Sequence, residues 1–202
     1  MASSSALRSG IKNYERYLNV LSGTEPYVAP SLSSYDLLAT EILTGSQASV
    51  TFSSLGSYSA YQHLQIRAMV RSNRAATNEN VRIQFNNDTG SNYSRHQLRG
   101  TGSSVISEAA TSQTSAFVST IAAASSTANS FTAQVTDLLD PFESTKNTTI
   151  RTLYGATSYQ EIGLSSGAWF DTSAVTEIDL ILQSGGSFVS GSRFSLYGLR
   201  SA

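Results

Sequence analysis

From Tyr35 to the C-terminus, apolar and polar residues alternate in short runs separated by clusters of Gly, Ser, Asn and Asp. In "HLQIRAMVR" (63–71), Leu64, Ile66, Ala68 and Val70 share one face, while Gln65, Arg67 and Arg71 take the other. A period of two is that of a strand lying on a core. "VRIQFN" (81–86) repeats the scheme with Val81, Ile83 and Phe85 inward. Further strands are predicted at 35–43, 48–55, 93–100, 115–121, 130–138, 148–155, 160–170 and 176–184. The last run, "RFSLYGL" (193–199), puts Phe194 and Leu196 on one side. A terminus so patterned is predicted to be tied into the core by pairing with the first strand, near 35–43. Many short strands with turn residues between them predict an all-β, antiparallel β-sandwich, with a jelly roll the leading topology. The hydroxyl-rich stretch 103–130 is low in complexity and reads as a long exposed loop around the weaker strand at 115–121.

The first 34 residues follow another rule. Leu7, Ile11, Tyr14, Leu18 and Leu21 step by four, three, four and three, one apolar stripe at helical spacing. Gly23 marks the stop, and "TEPYVAPS" continues as an extended arm. The chain therefore divides into an N-terminal segment, 1–34, and a sandwich domain, 35–202. The stripe either packs on its own domain or serves as an attachment and oligomer interface.

Composition narrows the function. There is no cysteine among 202 residues, which excludes thiol nucleophiles and cysteine-based zinc sites. A net charge of -1 speaks against a nucleic-acid partner, which needs a basic surface. Only 13% of residues are charged, against ~25% in an ordinary soluble domain. Serine and threonine number 37 and 20, a balance familiar from extracellular and virion proteins. Arginine outnumbers lysine 11 to 2, which suits surfaces buried between subunits, with Arg67, Arg71, Arg82 and Arg95 at polar strand positions. The N-terminus lacks the apolar run of a secretory leader, and no stretch approaches the ~18 apolar residues of a membrane helix.

Candidate chemistry is thin. Asn86, Asn87, Asp88 and Asn92 surround Gly90 in a loop faintly like a calcium loop, but the spacing and closing Glu of one are missing, so a hairpin turn is the better reading. His63 and His96 lie in separate strands without a third ligand. Asp137, Asp140 and Glu143 cluster in "TDLLDPFES", where Pro141 indicates a strand end. "GLSSG" (163–167) matches Gly-x-Ser-x-Gly around Ser165, yet no helix follows it and both histidines precede it, the wrong order for that family of hydrolases. Asn87, Asn92 and Asn147 head glycosylation sequons that chance explains in so hydroxyl-rich a chain. Trp169, the sole tryptophan, reads as core. These readings predict no catalytic residue, metal or cofactor.

Two stretches carry a resemblance. "YQHLQIRAMVRSNRAATNENVRIQFNNDTGSNYSRHQLRGTGSS" and the terminal "GSRFSLYGLR" resemble a family of tailed-bacteriophage virion proteins. The pattern falls on Leu64 to Arg67, Arg74, Phe85 to Gly90, Asn92, Tyr93, Leu98 and Gly100, and later on Trp169, Phe188, Gly191, Ser192, Phe194, Leu196, Tyr197 and Gly198. Members are described as minor tail, tail-fibre or head-decorating proteins. The resemblance implies a virion structural component, tail-associated or decorating the capsid, attached through its N-terminal segment to other virion proteins. It also implies a homotrimer. A host-surface glycan is the partner expected if the loops serve adhesion. Physically, Gly90 would serve a tight turn, Tyr93 a cross-strand aromatic contact, and Phe194 and Leu196 the core.

Overall fold

The computed structural model describes Ser22 and residues 35–200. The helix predicted over 6–21 and the arm after it lie outside the described residues, and so does the C-terminal pair 201–202. The chain divides into two units, Met1–Ser33 and Ser34–Ala202. The second is described below.

Its strands are β1 (Tyr35–Ile42), β2 (Ser49–Phe52), β3 (His63–Val70), β4 (Asn78–Phe85), β5 (Tyr93–Gly100) and β6 (Val105–Gln113). They continue as β7 (Ala116–Ala122), β8 (Thr132–Leu139), β9 (Thr148–Ala156), β10 (Glu161–Trp169), β11 (Ile178–Leu182) and β12 (Arg193–Leu199). Eight form one sheet in the order β1-β12-β3-β8-β9-β10-β5-β6, and four form a second in the order β2-β11-β4-β7. All ladders are antiparallel.

The order resolves into a jelly roll with two insertions. Without the hairpins β5–β6 and β9–β10, the remaining strands pair first with last: β1 with β12, β2 with β11, β3 with β8, β4 with β7. That nested pairing, split over two facing sheets, defines the jelly roll. The last strand does pair with the first, and it lies between β1 and β3. The two hairpins join side by side and extend only the large sheet.

The core between the sheets takes the residues the alternation assigned to it. Leu64, Ile66, Val70, Val81, Ile83, Phe85, Phe194 and Leu196 are all fully buried. The expected loop at 103–130 is corrected in its first part, which forms β6, while the strand predicted at 115–121 is present as β7, every residue of it buried. "AFVSTIA" is apolar enough to be buried although β7 is the last strand of the small sheet, and its two hydroxyls find partners. Ser119 Oγ donates to Gln134 Oε1, and the amide of Ala122 donates to Thr132 Oγ1 at 2.9 Å. Hydrogen-bonded, they no longer oppose burial.

Candidate functional site: the outer face of the large sheet

The asparagine-rich loop after β4 organises the junction between roll and insertions. Asn86 and Asn87 take left-handed backbone conformations, φ 52° and 57°, which Asn tolerates better than most residues. Gly90 was expected to make this turn, but its φ is not positive. Its amide instead donates to Asp88 Oδ1 at 2.7 Å, and a side chain there would crowd that oxygen. Asp88 Oδ2 accepts from Asn92 Nδ2 and from Trp169 Nε1, both at 2.7 Å. Hydrogen bonds from Asn92, then Trp169 and Gly90, hold its carboxyl below the usual carboxylate range. Tyr93, whose hydroxyl burial pushes up to about 12, accepts from the amide of Phe85 at 3.0 Å and donates to the Asp88 carbonyl. Phe85, Tyr93 and Trp169 pack their rings together with centroids 5.5–6.4 Å apart. Asn86 Oδ1 accepts from Thr176 and Glu177 amides. Asn86 and Asp88 thus turn their side-chain oxygens onto the chain itself, and the motif acts as a clamp.

Several other candidates of the sequence are occupied structurally. Ser165 sits mid-strand, facing inward, and donates to the Val118 carbonyl at 3.0 Å. Asp137 accepts from Gln65 and Arg151, at 2.7 and 2.8 Å. Asp140 accepts from Lys146, and its amide donates to His63 Nδ1. Among the described residues no three His, Asp or Glu side chains are grouped to hold a metal ion. Leu7, Ile11, Tyr14, Leu18 and Leu21 lie outside the described residues.

The arginines expected to face other subunits are mostly consumed within the chain. Arg71 reaches the carbonyls of Ala124, Ser126, Thr127 and Ser130 at 2.8–3.3 Å. Arg82 is buried against Gln183 and the Phe117 ring, and desolvation lowers its pKa to about 10. Arg95 pairs with Glu108. Arg67 stands on the outer face, its Nε donating to Gln65 Oε1 at 3.0 Å and its guanidinium carbon 5.1 and 5.5 Å from the Tyr35 and Tyr197 rings.

What the sequence did not announce is the apolar surface. Among the described residues, the large exposed apolar ones are Leu37, Ile42, Met69, Leu98, Val105, Leu153, Ile162, Leu164 and Phe170. All but Phe170, which directly follows β10, lie on strands of the large sheet. The outer face of the small sheet carries polar pairs instead, such as Thr51 with Asp179 and Asn80 with Gln183. On the large sheet the apolar group concentrates on the inserted hairpins. Leu98, Leu164 and Leu153 stand directly opposite one another on β5, β10 and β9. Ile162 and Val105, 62% and 78% exposed, complete the group. Between them lies an open hollow of about 300 Å³, lined by these residues with Arg99, Gly100 and Gly163.

The hairpins are amphipathic in the reverse sense. Thr152, Glu161, Ser165 and Gln97 point inward and are buried, whereas Leu153, Ile162, Leu164 and Leu98 point outward. Within the inward polar layer Arg99 bridges Glu108 and Glu161 at 3.3 and 3.2 Å, and Tyr154 donates to Glu161. A contiguous exposed apolar group on one side of an otherwise polar molecule marks an interaction surface. A signal was present in the sequence, since Leu98 falls between His96 and Gly100 out of phase with a buried Gln97. Alternation alone gives the two faces without saying which is inside. No protein-family model and no curated protein matches the chain.

Proposed function

We propose that this chain is a non-catalytic structural protein of a tailed-phage particle, with a jelly roll displayed on the surface and residues 1–34 as its attachment to other virion proteins. The reading rests on the resemblance carried by "FNNDTGSNY" and "GSRFSLYG", together with one structural observation: the apolar group on the outer face of the inserted hairpins. A molecule whose sequence motifs serve its fold, and whose unspent surface is a broad apolar face, is built to be packed against protein. Tail association is the favoured position, with capsid decoration or a head fibre as the alternative. The homotrimer belongs to the same proposal.

The test is location and attachment. Labelled antibody against the chain should decorate purified particles at the tail. A chain lacking residues 1–34 should stay folded and fail to join them, measured by its loss from particles after sedimentation. Normal incorporation of the shortened chain would overturn the role of that segment. Absence of the full chain from particles would overturn the reading as a whole.

A further inference from the structure

We infer that Arg82 and Arg95 form a binding site for a singly charged oxyanion, and that the group it takes is a carboxylate. The inference does not rest on the virion reading.

The carrying observation is a buried charge without a counter-charge. Arg82 shares the outward side of β4 with Asn80 and Gln84, yet it is only 6% exposed. Its guanidinium carbon lies 5.6 Å from the centre of the Phe117 ring. Its Nε and Nη2 both donate to Gln183 Oε1, at 3.0 and 2.6 Å, and that neutral oxygen also accepts from Asn80 Nδ2. Among the described residues no carboxylate stands within ion-pair distance of Arg82. Asp179 on the neighbouring strand β11 accepts from Thr51 instead. Arg95 enlarges the deficit. It comes inward from β5, near enough for its charge to act with burial in lowering the Arg82 pKa to about 10. At that value Arg82 keeps its charge at neutral pH.

Arg95 is itself short of partners. Its Nη1 reaches Glu108 Oε2 at 3.5 Å, but that oxygen already accepts from Gln97, and the other oxygen of the carboxylate takes Arg99 at 3.3 Å. Arg95 Nε is buried with no acceptor. Arg82, Arg95 and Arg99 therefore set three positive charges against the two negative ones of Glu108 and Glu161. Other arginines of low exposure are answered within the chain, Arg71 by four carbonyls and Arg200 by Asp36. Charges are tolerated out of water when they are paired. Here the pairing is one negative charge short.

That shortfall specifies the ligand. One missing charge calls for a monoanion, whereas a phosphate dianion would overfill the site and repel Glu108. Gln183 fixes the Nε side of the Arg82 fork and leaves Nη1 without a partner, while Arg95 offers Nε. Two donors from two directions match the two oxygens of a carboxylate, and guanidinium groups bind carboxylates through such paired contacts. Arg95 keeps 20% of its side chain exposed, so an ion can reach the pair from solvent.

The test is a titration of the full chain with sodium acetate at pH 7, with sodium chloride holding the ionic strength constant, followed by thermal unfolding and calorimetry. Acetate should stabilise wild type saturably, multiplying the folded-to-unfolded ratio about elevenfold at ten times its dissociation constant. Arg82→Met keeps the packing on Phe117 and removes the unpaired charge. In chloride it should be as stable as wild type or more so, and it should lose the acetate response. Arg95→Gln should weaken acetate binding at least tenfold, while Arg193→Gln, on an exposed arginine of β12, leaves it unchanged. Glucuronate and N-acetylaspartate amide, titrated in the same way, distinguish a carboxylate borne by a sugar from one borne by a peptide, the tighter of the two naming the carrier. A wild type that does not respond to acetate beyond chloride overturns the inference, as does an equal response in Arg82→Met. Phosphate binding more tightly than acetate would overturn the carboxylate assignment. Should Arg82→Met fail to fold, the wild-type titration and Arg95→Gln decide. All of these outcomes are read on the isolated chain, so they leave the virion reading, tested by location on particles, untouched.

Discussion

Asp88 illustrates how single residues carry this fold. Its carboxylate accepts three hydrogen bonds, from Gly90, Asn92 and Trp169, and so ties the β4–β5 turn to the end of β10. Asp88→Asn keeps the shape but replaces one acceptor oxygen by a donor, which then opposes a donor already in place. Leaving such a group unpaired costs about 1–3 kcal/mol, and that loss of stability is expected in urea unfolding followed by Trp169 fluorescence. The pH dependence has a definite sign. The folded carboxyl is held below its ordinary pKa, so its stabilising effect is complete above the ordinary carboxylate pKa of ~4 and fades as the pH falls through the lower, folded value. The stability difference between wild type and Asp88→Asn should therefore be constant from pH 7 down to about 5 and shrink below about 4. A difference that stays constant to pH 2 would remove Asp88 as the titrating group.

At the scale of elements, packing distinguishes glycines that look alike in sequence. Gly163→Ala forces a methyl into the Tyr154 ring and is expected to cost about 1–3 kcal/mol, measured by thermal or urea unfolding. Gly155→Ala, facing open space on the neighbouring strand, should cost nothing and gain up to about 1 kcal/mol. Equal effects at the two positions would contradict the facing assigned to β9 and β10. The same hairpins explain what could be read in advance. Strands β3, β4 and β12 were legible because their apolar residues face inward, so that pattern and burial agree. Strand β6 was not, because its alanines and serines give no contrast, whereas β7 was legible from the apolar residues around Phe117 and Val118 in spite of its two hydroxyls. The outer apolar group escaped notice for a related reason. Where a strand carries large apolar residues on both faces, as β9 does with Ile150 inward and Leu153 outward, period-two alternation no longer tells inside from outside.

At the scale of the whole molecule, the nested pairing makes the ends of the domain depend on each other. Strand β12 is inserted between β1 and β3, so without it the large sheet loses two ladders at once and β1 has no neighbour. Phe194 and Leu196 leave the core with it, both fully buried, and Phe188 loses the ring it meets edge-on at 5.0 Å. Removing one such Phe and one such Leu side chain costs about 3–5 and 2–5 kcal/mol, which already approaches the ~5–15 kcal/mol that holds an ordinary domain together. The backbone pairing lost from two ladders adds to that. A chain ending at Ser192 should therefore fail to fold, giving no cooperative urea transition and rapid proteolysis throughout 35–192. Because the pairing partners are so far apart in sequence, the complete chain should also fold slowly, in milliseconds to seconds. During synthesis β1 and β3 must wait for the last strand, and protease resistance should appear only once residues up to 199 have left the ribosome. Arrested chains of increasing length would show it, and resistance acquired before β12 emerges would mean that the roll closes without its central strand.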